Sequence, residues 1–203
     1  MLKFVERLTI QLCSLNTLPK SHYVPLCTRE FIEKTDEFAI NIALIHEHHP
    51  ILGLVYHPCK KTAYYGINQQ GAYIKPFDHS PTPIYTTQTN SNPIRIALSR
   101  HHANGSKHLF ESNENQTLVF CGSALKICLV AEGSADVYPR LGPTSEWDTA
   151  AGHCILKEAG GALTDLYGQA LRYNTKSELI NPSFIAVGNT AENWTQKLNL
   201  LSF

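Results

Sequence analysis

The amino-acid sequence predicts an α/β layered fold, and two patterns indicate this class. Between residues 37 and 74, apolar and polar residues alternate in short runs, as expected for antiparallel strands with one buried face. After residue 94, strand-like runs alternate with helical patterns, which is typical of a layered α/β domain. The 203 residues are enough to bury a sizeable core as one domain or as two small ones.

The amino-terminal segment has a helical apolar spacing. Phe4, Leu8 and Leu12 recur every four residues, which predicts a short amphipathic helix. Charged residues interrupt this stretch and leave no clean apolar core, so we do not expect a signal peptide. Residues 13–27 show little periodicity and are predicted to form a loop.

Two hairpins are predicted next. Strands over Phe38–Ile45 and Ile51–Tyr56 are separated by His46–Pro50, and further strands are expected at Thr62–Gly66 and Gly71–Ile74. Three imidazoles in the His46–Pro50 segment are a possible transition-metal site. Because they lie at a hairpin tip with no second set of ligands, a solvated turn is the favoured interpretation.

Residues 76–93 contain four prolines and many Thr, Ser and Asn residues, which favours a linker. We place the domain boundary at its end, giving an α+β unit over 1–93 and an α/β unit over 94–203. In the second unit, strands are predicted at Ile94–Ser99 and Thr117–Phe120, with a helix over Ala103–Ser112 between them.

Residues 122–161 carry the densest chemical signal. Asp148 precedes Ala150, Ala151 and Gly152, so it is expected to cap a helix whose first turn other backbone or a ligand can approach closely. Earlier in this block, Gly122-Ser123-Ala124-Leu125-Lys126 follows a strand and opens a helix. Such a turn can bind an anion, helped by Ser123 and Lys126. The alternative is an N-capped turn with Lys126 facing solvent.

Composition limits the classes of partner. Seventeen basic and seventeen acidic residues cancel, and no basic run occurs, so binding of a nucleic acid polymer is not expected, whereas a small nucleotide could bind locally. No apolar run approaches the roughly 20 residues of a membrane helix. Six cysteines show no C-x-x-C spacing, and Cys121, Cys128 and Cys154 lie in apolar sequence, which favours buried thiols and a reduced cytoplasm.

The chain resembles the inositol monophosphatase-like, metal-dependent phosphatases, and within them the 3′(2′),5′-bisphosphate nucleotidases of the bacterial CysQ type. The resemblance extends from about Val24 to Asn189. Its main motifs are Asn41–Ile45, Pro50–Tyr56, Gly122–Lys126, Leu129–Gly133, Tyr138–Arg140, Gly142–Thr144, Trp147–Gly152, Ala159–Gly161 and Asn181-Pro182.

The resemblance implies a site for Mg²⁺ and a phosphate ester. Asp148 and the Leu26 carbonyl would be metal ligands, and Thr28 would assist a metal-bound water that attacks phosphorus. Asp148 would also contact the substrate. The implied substrate-binding residues are Gly122, Ser123, Lys126, Arg140 and Asp148. For Arg140, an ion pair with Glu146 or Asp148 is an equally open alternative.

The sequence departs from this family before residue 30. Where family members carry Asp-Pro-Leu-Asp-Gly-Thr, this chain has Val24-Pro25-Leu26-Cys27-Thr28, so both loop aspartates are replaced and one residue is missing. An upstream Glu-Glu pair is also absent. Glu30, Glu33, Asp36 and Glu37 are nearby but correspond to non-ligand positions.

These departures indicate a truncated or degenerate member, a sandwich without the amino-terminal helices. The sheet face that those helices cover would then be open to self-association. The resemblance implies hydrolysis of 3′-phosphoadenosine 5′-phosphate to AMP and phosphate, impaired in this chain. The alternatives are a phosphatase of inositol phosphates and a non-catalytic remnant that binds a nucleotide or a partner.

Overall fold

A computed structural model describes residues 7–11, 35–88, 92–100 and 114–202. Its strands are β1 Arg7–Gln11, β2 Ile40–His46, β3 His49–His57, β4 Thr62–Ile67, β5 Gly71–Pro76, β6 Thr82–Pro83, β7 Ile94–Ser99, β8 Gln116–Cys121, β9 Val137–Arg140, β10 Ala162–Asp165 and β11 Phe184–Val187. Its helices are α1 Leu125–Ala131, α2 Glu146–Glu158 and α3 Trp194–Lys197, followed by a 3₁₀ turn at Leu200–Ser202.

The first sheet is antiparallel, with strands in the order β1-β2-β3-β4-β5-β6. The predicted hairpins are confirmed, because β2 pairs with β3 and β4 pairs with β5. Glu47 and His48 form the two-residue turn between β2 and β3, both with positive φ (48° and 68°). Such a turn matches the right-handed twist of the flanking strands and holds their register.

The prediction of an amino-terminal helix is wrong for residues 7–11. These residues form β1, which pairs antiparallel with β2, with Leu8 opposite Leu44 and Ile10 opposite Ile42. A two-residue alternation of Leu8 and Ile10 fits this pairing, whereas the four-residue spacing of Phe4, Leu8 and Leu12 suggested a helix. Hydrogen bonding to the edge of β2 therefore makes residues 7–11 a strand in place of the predicted helix. The predicted loop at residues 13–27 lies outside the described residues.

The second sheet is mixed, in the order β10-β11-β9-β7-β8. Strand β7 runs parallel to β8 and β9, and the other pairs are antiparallel. The strands predicted at Ile94–Ser99 and Thr117–Phe120 are confirmed. The helix predicted at Ala103–Ser112 lies outside the described residues.

Helix α2 packs against the first sheet at very short range. An added Cβ at Gly53 would overlap the Ala151 carbonyl, and one at Gly66 would lie 2.9 Å from the Ile155 Cα. On another side of α2, an added Cβ at Gly152 would come within 3.0 Å of the Ile127 side chain of α1. The close approach that small residues permit in α2 is thus made by the protein's own strands and helix.

One hydrophobic cluster joins the layers. It includes Ala43 and Val55 from the first sheet, Ile155 from α2 and Ala186 from the second sheet, all nearly inaccessible to solvent. The predicted α+β layered sandwich is confirmed by this arrangement. The division at residue 93 stays a prediction, since the shared core contains residues from both sides of it.

The predicted linker is packed along its later part. The Ile84 amide donates to the Ala72 carbonyl (2.9 Å), and the Thr86 amide donates to the Ala159 carbonyl (3.0 Å). Both side chains are buried. Residues 84–88 therefore belong to the folded body, although the proline-rich composition suggested an unpacked connection.

The thiol prediction is largely confirmed. Cys128 and Cys154 are buried free thiols, and Cys121 is partly buried. Of the helices in the described residues, none has the length and apolar character needed to cross a membrane.

Candidate active site

Asp148 lies in the first turn of α2 and not ahead of it. Ser145 is the N-cap residue, and Asp148 is the third residue of the helix. The Ser145 amide donates to Oδ2 of Asp148 (3.0 Å), while the Asp148 amide donates back to the Ser145 carbonyl (2.9 Å). This reciprocal arrangement satisfies amides that a helix leaves unpaired at its start. The prediction that Asp148 is itself the cap residue is therefore wrong by three positions.

Two cations act on the Asp148 carboxylate. Burial raises the pKa of Asp148, and the Ser145 amide, Arg140 and Lys126 act in the opposite direction. Within the described residues, Oδ1 of Asp148 has no hydrogen-bond partner, and it is not among the fully buried unpaired atoms. One carboxylate oxygen is thus fixed at the helix start, and the other has a hydrogen-bonding position left for a ligand, with two positive side chains near enough to favour the charged carboxylate.

The Gly122–Lys126 turn holds its lysine inward. Lys126 is only 3% exposed. Its Nζ donates to the carbonyls of Ser123 (2.6 Å) and Cys121 (3.2 Å), and it lies 5.3 Å from the centre of the Tyr138 ring. Ser123 has a positive φ of 52°, which turns the chain sharply into α1. The alternative of a solvent-facing Lys126 is wrong, and the cap position of α1 is Ala124, without a side-chain cap.

Arg140 is held by its own loop. Its Nε donates to the Gly142 carbonyl (3.2 Å), and its Nη2 donates to the Pro143 carbonyl (3.1 Å). Among the described residues it forms no ion pair with Glu146 or Asp148, so that alternative is wrong. The guanidinium remains close enough to Asp148 to oppose the rise that burial causes in the carboxylate's pKa.

Sequence reasoning missed an ion pair beside the Gly122 turn. Arg100 donates to Glu37 through Nη2 (2.6 Å) and Nε (3.1 Å). Burial alone would raise the pKa of Glu37, but Arg100, the Gly122 amide and Lys126 together lower it. No local pattern signals this pair, because its partners are 63 residues apart. A carboxylate engaged in this way is poorly placed to replace a missing metal ligand.

Asp148 is the sole predicted metal ligand that lies in the described residues. Leu26 and Thr28 both lie outside them. Within the described ranges, no three His, Cys, Asp or Glu side chains are grouped so that they could hold a metal ion. This statement covers the hairpin-tip histidines, of which His48 is docked on the protein through Nδ1 and the Tyr173 carbonyl (2.9 Å).

A chain of hydrogen bonds between buried polar side chains includes Thr149 in the first turns of α2. His153, 5% exposed, contacts the Tyr173 hydroxyl through Nδ1 (2.9 Å), and that hydroxyl donates to Oγ1 of Thr149 (3.4 Å). Burial lowers the pKa of His153 to about 3, with smaller effects of the same sign from Lys157 and His49. The imidazole is therefore neutral in the folded chain at neutral pH.

We expect His153 to make the chain acid-sensitive. His153 binds a proton near pH 6.5 in the unfolded chain and only near pH 3 in the folded chain. Its contribution to the free energy of unfolding is therefore fully present above pH 6.5 and is lost progressively as the pH is lowered. The slope should approach about 1.4 kcal/mol per pH unit below pH 6. Urea unfolding of the wild type and His153→Gln between pH 5 and 7 measures it. Equal slopes in both proteins would contradict the assignment.

The fold is that of a known protein family. The inositol monophosphatase family matches residues 25–199, which is most of the chain. The chain therefore belongs to the inositol monophosphatase family. Among solved structures it is similar to CysQ from Bacteroides thetaiotaomicron, described as a bacterial member of that family, with a TM-score of 0.69 and 36% identity over 79% of this chain and 66% of that one.

The chain is also similar in sequence to curated proteins of one name within this family. The chain is 41% identical to the 3′(2′),5′-bisphosphate nucleotidase CysQ of Salmonella typhimurium over 77% of its length, and 35% identical to the Haemophilus influenzae protein of the same name over 82%. It spans 63% of the length of each. An inositol monophosphatase from Zymomonas mobilis shares the fold, with a TM-score of 0.69 at 20% identity.

Proposed function

We propose that this chain is a bisphosphate nucleotidase-type phosphatase whose site recognises 3′-phosphoadenosine 5′-phosphate and whose turnover is strongly impaired. The nucleotidase relatives support the substrate, since they are matched at 35–41% identity. Inositol phosphates are the weaker alternative, because the Zymomonas mobilis inositol monophosphatase supports the fold alone. The reaction would yield AMP and inorganic phosphate in the cytoplasm.

The arrangement around Asp148 is the observation that carries this proposal. One oxygen of its carboxylate is held by the Ser145 amide, and the other accepts no hydrogen bond from the described residues. Lys126 and Arg140 both supply positive charge near this carboxylate. Because Nε and Nη2 of Arg140 already donate to its own loop, Arg140 contributes mainly positive charge to an incoming phosphate, and the buried Lys126 ammonium adds charge in a poorly solvated site. These residues can therefore bind and orient a phosphate ester.

The residues present do not fit a complete magnesium centre. Mg²⁺ takes oxygen ligands in octahedral geometry and in such sites is bound through carboxylates together with substrate phosphates. The described residues supply Asp148 and no grouped partners for it. The sequence supplies Val24 and Cys27 where the family's loop has aspartates. The residues present therefore do not by themselves support a metal-assisted step.

A phosphate-release assay tests the impairment. With 3′-phosphoadenosine 5′-phosphate and Mg²⁺, we expect turnover at least about a thousandfold below that of the Salmonella typhimurium relative, because charge stabilisation of this kind is worth a factor of 100 to 1,000 per group. Asp148→Asn should leave this background unchanged, as should Asp165→Asn at the end of β10. Robust Mg²⁺-dependent hydrolysis lost only in Asp148→Asn would contradict impairment and support the site.

A non-catalytic role is the second candidate, and the replaced aspartates favour it. The same cluster of Lys126, Arg140 and Asp148 could retain a nucleotide without hydrolysing it. Calorimetry with 3′-phosphoadenosine 5′-phosphate separates the two, since a remnant of this kind binds without turnover. Self-association through the outer face of the first sheet stays a prediction.

A further inference from the structure

A short segment ending at Asn181 pairs with the start of α2. The Asn181 amide donates to the Thr144 carbonyl (2.8 Å), and the Glu146 amide donates to the Leu179 carbonyl (2.8 Å). Ser145 and Ile180 face each other in the resulting antiparallel bridge. The turn that leads into the helix is thereby fixed to a part of the chain more than 30 residues away.

The Asn181 side chain forms further hydrogen bonds to the same turn. It is only 6% exposed. Its Nδ2 lies 2.8 Å from the Ser145 carbonyl, 3.0 Å from Thr149 Oγ1 and 3.1 Å from Thr144 Oγ1. A carboxamide nitrogen carries two hydrogens, so it is shared among three acceptors. A buried donor of this kind is costly to remove, because its acceptors lose their partner away from water.

Ser145 links Asn181 to Asp148. Its carbonyl accepts from both Nδ2 of Asn181 and the Asp148 amide, and its own amide donates to Oδ2 of Asp148. Any shift of Ser145 therefore turns the Asp148 carboxylate and redirects Oδ1. Thr149, one residue further, is held by Asn181 and by the Tyr173 hydroxyl.

We propose that Asn181 is a positioning residue for Asp148, acting through Ser145. The Asn181 side chain donates to Ser145, Thr144 and Thr149 and forms no hydrogen bond with Asp148 among the described residues. It fixes the backbone of the residue that holds Oδ2, so that Oδ1 keeps one direction toward a ligand. The hydrogen bonds alone support the positioning of Ser145 and Asp148 by Asn181. That this positioning matters for ligand binding rests on the proposed function.

Amide exchange of Ser145 tests the geometry without any ligand. Asn181→Leu removes the Nδ2 donor at nearly constant volume. Tyr173→Phe is the matched control, since it removes a different hydrogen bond to Thr149 and leaves Ser145 untouched. We expect the Ser145 amide to exchange about tenfold faster in Asn181→Leu, the factor that corresponds to loss of one hydrogen bond, and to change little in Tyr173→Phe. The two variants are compared at matched global stability.

The proposal would be overturned if the Ser145 amide exchanged in Asn181→Leu at the wild-type rate, or if its exchange accelerated equally in both variants. An Asn181 that only stabilised the fold would affect many amides and not that of Ser145 in particular. Should Asn181→Leu fail to fold, Asn181→Ser is measured in its place, with the same expected acceleration. Its hydroxyl is too short to reach all three acceptors.

Titration with Mg²⁺ alone, followed through the amide resonances of residues 145–149, tests whether the position of Asp148 affects ligand binding. Binding to the wild type should be weak and severalfold weaker still in Asn181→Leu, with Tyr173→Phe close to wild type. Absence of any response in the wild type would overturn the role of Asp148 as a metal ligand, and the exchange result would remain the separate test of positioning. Equal Mg²⁺ affinity in the wild type and Asn181→Leu would overturn the role of Asn181 in the site.

Discussion

Gly53→Ala should destabilise the chain more than any other single methyl group introduced into the first sheet. The added carbon would overlap the Ala151 carbonyl and lie 2.9 Å from the Cys154 Cβ. Neither neighbour is the flexible end of a side chain, so β3 and α2 must separate. Overpacking of a core costs about 1–3 kcal/mol and occasionally more. We place this substitution at or above 3 kcal/mol, which lowers the melting temperature by about 6–12 °C for a chain of this length.

Thermal unfolding of Gly53→Ala measures the effect, with Gly142→Ala as the matched control. The nearest atoms to an added Cβ at Gly142 belong to the Arg140 guanidinium at 4.0 Å, an ordinary contact. The control should lie within about 0.5 kcal/mol of the wild type. A Gly53→Ala protein as stable as the control would mean that α2 does not lie against β3 at this distance.

Restoring the amino-terminal loop should produce the largest gain in metal affinity. Replacing Val24 by Asp, and Cys27 by Asp-Gly, rebuilds two carboxylates around Pro25, Leu26 and Thr28. Together with Asp148 this gives three acidic ligands, enough to hold at least one Mg²⁺. We expect calorimetry to detect much tighter Mg²⁺ binding than in the unmodified chain, while turnover remains far below that of the Salmonella typhimurium relative, because the repair restores only part of the family's ligand set.

The control for this repair is the same loop carrying Asp148→Asn. It keeps the two new carboxylates and removes the third, so the gain in affinity should be lost. Retained affinity in this control would show that the loop binds metal without Asp148. No gain in the repaired chain would mean that Asp148 does not face the loop, and the site assignment would be wrong.

Most strands were predictable from the local sequence, whereas β1, which pairs with a strand about 35 residues further along the chain, was not. Hairpins β2–β3 and β4–β5 follow from local alternation and turn residues, so their boundaries fall within a few residues of those predicted. Strand β1 depends on an edge offered by β2, which no window around Leu8 contains. Its amphipathic spacing therefore favoured the wrong element.

The site divides in the same way. Asp148 was found from the resemblance and the helix start that follows it. Lys126 was placed at the surface in one interpretation because lysine is almost never fully buried unless paired, whereas the sharp turn at Ser123 supplies carbonyls that hold its ammonium inside. Asn181 lies 36 residues from Ser145 and could be connected to it only by the fold.

Helix α2 performs two tasks with one run of residues. Its first turn carries Asp148, and the small residues that follow let β3, β4 and α1 approach its backbone. Larger side chains at Ala151 or Gly152 would therefore disturb this packing whether or not a phosphate ester is cleaved. The familiar run of residues around Asp148 is thus required by folding as well as by chemistry, and its presence alone does not distinguish a working phosphatase from an inactive relative.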